Sequence, residues 1–315
     1  MDLTRSDIES AARRLAPHFG SFLRRTPLWQ LPGAALGVDC AEVWLKLEHL
    51  QVAGSFKARG MLHRLLANVV PASGAIIASG GNAGIAAAAA SRSLGLPCEV
   101  FLPEISSAAK RARLAELGAR VVVTGAAYSD ALQACLERQA RTGALLLHAY
   151  DQVEVVSGAG TLAREIEEQA GVPDALLVSV GGGGLIAGVA QWFAGRAQVV
   201  ALEPELAPTL HAARASGMPV DVSVGGIAAD SLGARRIGTL AWEVAQRHVD
   251  ASLLLDDGAI RAAQRWLWRE CRLAVEPAAA LGLAALQTGA YQPDAGEKVC
   301  LILCGANFDP ASLDA

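Results

Sequence analysis

Three stretches of this 315-residue chain carry residue types that can do chemistry: a lysine at a helix start and two glycine-rich turns. The lysine lies in Gly54-Ser55-Phe56-Lys57-Ala58-Arg59-Gly60. An alternating run before it, Val43 to Glu48, reads as a half-buried strand, and Met61, Leu62, Leu65 and Leu66 after it fall at helical spacing. The segment is therefore a strand-to-helix turn. Gly54 can take backbone angles closed to other residues, and Ser55 suits the N-cap of a helix beginning at Phe56. Lys57 then stands in the first helical turn, where free N–H groups and the macrodipole disfavour positive charge. An amine so placed is more easily held neutral, as a nucleophile or as an imine. Taken alone, the residue also fits a solvated surface lysine.

The turns Ser79-Gly80-Gly81-Asn82-Ala83-Gly84 and Gly181-Gly182-Gly183-Gly184 each join a short apolar strand to a helix. Doubly wound folds bind ligands at such places, where helix N-termini present free amides to anions. Four glycines let the backbone reach a phosphate with no side chain intervening; a tight turn is the plainer alternative. A dinucleotide fingerprint fits poorly, because Gly182, Gly184 and Gly188 miss its third position by one, although Glu203 lies about 20 residues downstream. The Gly-Lys-Ser/Thr of a Walker loop is absent, and the six histidines show no paired ligand spacing. A phosphate cradle together with a helix-start lysine suggests a phosphorylated aldehyde, pyridoxal 5'-phosphate.

The elements that must position these residues alternate. From Gly74 to His148 the pattern reads strand-helix through strands at 74–78, 98–102, 120–123 and 145–147. It resumes with a helix near 160–169, a strand at 175–180, a helix at 185–193 and a strand at 198–202. An irregular stretch spans 203–233; helices at 234–249 and 257–271, a shorter one after Pro277, and a strand at 299–303 close the chain. Such alternation makes parallel sheets covered on both faces, and the length favours two domains. A formal net charge of −4 argues against a nucleic-acid surface. Six scattered cysteines without a Cys-x-x-Cys pair fit reduced thiols in a cytoplasmic protein. The polar start is not a secretory signal, and no apolar run is long enough to span a membrane.

The lysine stretch, Ser79-Gly80-Gly81-Asn82, Gly181–Gly184 and Cys304-Gly305-Ala306-Asn307 occur in the order seen in fold-type II pyridoxal-phosphate enzymes, and nearly the whole chain resembles their serine/threonine dehydratase branch. The resemblance implies two doubly wound open-sheet α/β domains with the cofactor between them. Residues 1–72 and 149–315 would form the large domain and 73–148 the small one. It implies that Lys57 carries the cofactor and later acts as base, with Phe56 packed beside it. Asn82 would hydrogen-bond the ring hydroxyl, and Gly181, Gly182, Gly183 and Gly184 would hold the phosphate. Ser79, Gly80, Gly81, Asn82 and Ala83 would receive the substrate carboxylate. Cys304 would face the pyridine nitrogen; a thiol is a weak partner and favours a neutral ring and prompt loss of a β-substituent. The implied reaction is β-elimination of water from a 3-hydroxy amino acid such as L-threonine or L-serine, giving a 2-oxo acid and ammonia, in a homodimer.

Departures from the family refine this. Ala58-Arg59 after the lysine replaces the Asp-Arg of cysteine and threonine synthases. Serine racemases, a related alternative, place a reprotonating serine where Gly80 stands. Their divalent metal site uses a Glu matching Glu203 and an Asp where this chain has Thr209, so Glu203 is the one candidate ligand for a monovalent or divalent cation. Ala159 replaces a frequent Gln, and Asp151 falls near the phosphate, where a carboxylate is unfavourable unless turned away. The chain ends soon after Cys304, so isoleucine feedback is not expected. A nucleotide-binding oxidoreductase and a binding protein without turnover are the rival readings.

Overall fold

The computed structural model describes residues 2–313. Its strands are β1 (Leu28–Pro32), β2 (Glu42–Lys46), β3 (Ala75–Ala78), β4 (Cys98–Leu102), β5 (Arg120–Val123), β6 (Leu145–Leu146), β7 (Ala175–Ser179), β8 (Gln198–Pro204), β9 (Ala251–Leu255) and β10 (Lys298–Ile302). Its α-helices are α1 (Arg5–Leu15), α2 (Lys57–Leu66), α3 (Asn82–Ser93), α4 (Ala108–Glu116), α5 (Tyr128–Thr142), α6 (Val153–Ala170), α7 (Gly184–Phe193), α8 (Thr209–Ser216), α9 (Ala229–Leu232), α10 (Thr239–His248), α11 (Asp257–Cys271) and α12 (Pro277–Thr288).

Two sheets result. The larger runs β1-β2-β10-β7-β8-β9 and is parallel except for the β1–β2 pair; the smaller runs β5-β4-β3-β6 and is wholly parallel. Strands β7, β8 and β10 are apolar and buried along most of their length, as strands covered on both faces must be. This is the fold expected of the sequence: mixed α/β with two parallel-sheet layers.

Several local expectations change. Helix α6 begins at Val153, seven residues before the helix read near Gly160, because Val155 and Val156 bury their branched side chains and tertiary packing overrides their weak helix propensity. The segment Ala251–Leu255 is a strand, half-buried beside β8, where only a helix start at Asp257 is legible. The stretch read as irregular contains α8 and α9, and α10 starts at Thr239 rather than near Ala234. Ser55 is not a cap: α2 begins at Lys57, its N-cap position is Phe56, and the buried Ser55 hydroxyl has no hydrogen-bond partner.

Helix α2 carries the lysine and joins both halves. Its Met61, Leu62 and Leu65 pack in one core with Ala75 and Ile77 of β3 and Val100 of β4. Its other side meets a fully buried charge cluster. The Arg59 guanidinium donates to Glu48 (2.7 and 3.0 Å) and to Glu165 (3.0 Å), and Lys46 Nζ donates to Glu165 at 2.6 Å. Two cations thus meet two carboxylates, and the carboxylates hold Arg59 above its ordinary pKa despite burial. Buried charges are tolerated only when so paired.

Candidate active site

Lys57 occupies the first turn of α2, and its Nζ donates to the Ala149 carbonyl at 2.6 Å. Burial lowers its pKa to about 8, partly offset by Cys304 and Glu276 nearby. The amine is thus held near the boundary between its charged and neutral forms at neutral pH.

The tetraglycine runs from the end of β7 into α7. Gly183 is left-handed (φ +87°), and the helix starts at Gly184. Each glycine is demanded by a neighbour: a Cβ on Gly181 would lie 2.9 Å from Leu232 Cα, one on Gly182 would overlap the Tyr150 ring, one on Gly183 would overlap Ala241, and one on Gly184 would meet the Tyr150 carbonyl at 3.0 Å. The bare backbone at a helix N-terminus is what a phosphate needs. The Asp151 carboxylate is engaged by α10, capping it by accepting from the Thr239 and Leu240 amides at 3.0 Å.

On the other side, the turn after β3 leads into α3, whose first residue is Asn82. The Asn82 amide donates to both Glu276 carboxylate oxygens (2.9 and 3.0 Å), and its Oδ1 accepts from Asn307 at 2.6 Å. The Cys304 thiol donates to Glu276 Oε1 at 4.0 Å, and burial, reinforced by Glu276, pushes it well above its ordinary pKa. Glu276 is itself raised to about 7, chiefly by burial.

One cleft collects Phe56, Lys57, Asn82, the four glycines Gly181–Gly184 and Cys304, a convergence of polar groups suited to a small-molecule ligand. Ser79, Gly80, Gly81 and Ala83 flank Asn82 in the turn and first helical residues without lining that cleft. Tyr150, Ser179, Leu185, Ser231, Leu232 and Glu276 complete its wall and were not singled out from sequence. No local signal marks them: a glutamate before Pro277 reads only as a helix start. Glu203 lies outside that cleft, in β8, with its carboxylate at the N-terminus of α8. Its carboxylate accepts from the Leu210 and His211 amides (both 2.8 Å) and from the Thr209 and Ser252 hydroxyls. No cluster of three His, Cys, Asp or Glu able to hold a metal occurs among the described residues.

Residues 21–305 match the family model described as pyridoxal-phosphate dependent enzyme, and the chain belongs to that family. It is 34% identical to a phenylserine dehydratase of Ralstonia pickettii, over 99% of this chain and 97% of that protein. A threonine deaminase structure from T.th. superposes with a TM-score of 0.89 at 33% identity, covering 97% of this chain and 99% of that one. A maize serine racemase structure superposes with a TM-score of 0.91 at 29% identity, covering 99% and 96%. The cofactor is pyridoxal 5'-phosphate. The cleft fits it: a side-chain-free helix start for the phosphate, a lowered amine for the aldehyde, and a polar wall for the ring. The rival dinucleotide reading of the glycines falls with this membership.

Proposed function

We propose that this chain is a dehydratase that removes water from a 3-hydroxy amino acid, L-threonine or L-serine first among them, and releases a 2-oxo acid and ammonia. Its dehydratase and deaminase relatives support this reading. The observation that carries it is the enclosed Lys57 amine, lowered to about 8, in the same cleft as the four glycine amides. When bound, the cofactor supplies an aldehyde that captures amines and a ring that draws electrons from Cα.

The residues divide the remaining work. Lys57, once freed by the incoming amino acid, is the base that takes the Cα proton, because a lowered pKa leaves it partly neutral near pH 7. The Gly181–Gly184 amides hold the phosphate, Phe56 packs against the ring, and the Asn82 amide donates to the ring hydroxyl. Ser79, Gly80, Gly81, Asn82 and Ala83 receive the substrate carboxylate at the start of α3. The span 73–148 acts as a small domain closing on the rest, and a cytoplasmic homodimer is part of this reading, testable by sedimentation.

Racemisation is the second reading and is expected to be weak, since Gly80 offers no hydroxyl to protonate Cα from the opposite face. The test is 2-oxo acid release from a panel of hydroxy amino acids by protein loaded with pyridoxal 5'-phosphate. Turnover with at least one of them, abolished in Lys57→Ala, is expected. A loaded protein that inverts L-serine without forming a 2-oxo acid would favour the racemase.

A further inference from the structure

The proposed chemistry leaves the one carboxylate of the cleft wall without a task. Glu276 is the N-cap residue of α12, buried (1% exposed), and it faces the cleft with Lys57 and Cys304. Both its oxygens accept from Asn82 Nδ2, and Oε1 also takes the Cys304 thiol at 4.0 Å. The opposite end of the Asn82 amide is fixed as well: Asn307 Nδ2 donates to Asn82 Oδ1 at 2.6 Å and to the Ala53 carbonyl at 2.8 Å. The amide therefore cannot flip. Its donors face Glu276 and the cleft, its acceptor faces away, and only that orientation can donate to a ring hydroxyl. Asn82, Asn307 and Glu276 come from three distant parts of the chain, so the arrangement is built by the fold.

The other groups facing Glu276 are Lys57 of α2, Ser231 of α9 and the Asn307 backbone, with Glu48 behind Cys304. We propose that Glu276 is a positioning residue that holds the Asn82 donors toward the cofactor ring and decides whether the Cys304 thiol donates to itself or to the ring nitrogen. The inference rests on the pyridoxal-phosphate reading of the cleft. An ionised Glu276 keeps the thiol hydrogen bond to itself, leaving an unprotonated ring nitrogen without that donor. When Glu276 takes up one proton from solvent, the thiol is freed to donate to that nitrogen, which stays unprotonated. Burial places that change near pH 7, so the ring stays neutral, as a thiol partner favours, while its hydrogen bond from Cys304 depends on pH.

The experiment loads the protein with pyridoxal 5'-phosphate labelled with ¹⁵N in the ring and follows the ring-nitrogen resonance and visible absorbance from acid to alkaline pH. The ring resonance separates this change from titration at Lys57. A transition centred near pH 7 is expected in the unaltered protein, with loss of that transition in Glu276→Gln and in Cys304→Ala. A flat titration of the unaltered protein overturns the inference without any variant, as does an unchanged titration in Glu276→Gln. Should that variant fail to fold, Glu276→Asp must move the midpoint, and an unmoved midpoint overturns it. A coloured protein with a flat titration refutes this role alone, whereas a protein that takes up no cofactor refutes the underlying reading too.

Discussion

Lys57 shows how an enclosed amine acquires reactivity. Desolvation pushes the proton off, and the nearby Cys304 and Glu276 only partly restore it. Since only the neutral amine attacks an aldehyde, capture of pyridoxal phosphate by the cofactor-free protein should rise roughly tenfold per pH unit below the Lys57 value. It should then level off above about pH 8; stopped-flow absorbance would measure this. Stability follows the same proton. The folded value, about 8, lies below the ordinary 10.5, so between them the unfolded chain binds more protons and stability rises with pH. Below about 8 the burial penalty is fully present. Denaturation of the cofactor-free protein at pH 7.5 and pH 10 should therefore show a larger gain than in Lys57→Met. Equal gains would show that the amine is solvated in the folded state.

At the scale of elements, the turn from β7 into α7 is bounded by contact. A methyl on Gly182 would displace the Tyr150 ring, so Gly182→Ala should weaken cofactor binding by an order of magnitude or more, about 1.4 kcal/mol. Tyr150→Ala in the same chain should recover part of it, since the ring is what the methyl strikes; equilibrium dialysis of both variants would show it. Beneath α2 the charge cluster works as a unit. Removing one partner leaves a buried charge unpaired, so Arg59→Met should destabilise the protein by about 3–5 kcal/mol, read from denaturant midpoints. By contrast, the Lys110–Asp230 pair between α4 and α9 is 2.8 Å long but largely exposed, so Lys110→Ala should change stability by less than about 1 kcal/mol.

For the molecule as a whole, what the sequence made legible was local chemistry. Lys57 at a helix start and the glycines between β7 and α7 announce themselves because their neighbours in the chain define them. The alternation of strand and helix likewise yields most of both sheets, apart from the edge strands β1, which follows an extended segment, and β9, whose half-buried run lacks a clear period. Glu276, Tyr150 and Asn307 were illegible as site residues because their roles arise from contacts the fold creates: Glu276 and Asn307 meet Asn82 from 194 and 225 residues away, and the Tyr150 ring packs against Gly182. The surroundings of Glu203 were illegible too: its carboxylate accepts from the start of α8, a helix hidden in a stretch without clear periodicity.

Helix α2 has one foot in each half, with Met61, Leu62 and Leu65 seated among the small-sheet side chains and Arg59 anchored to carboxylates of the larger half. If the halves swing toward each other around a ligand, this helix lies at the axle of that movement and the amine it bears travels least. The reactive nitrogen would then stay in register with the phosphate clamp while the Asn82 turn sweeps across, so closing could sort substrates by shape without disturbing the atom that does the chemistry.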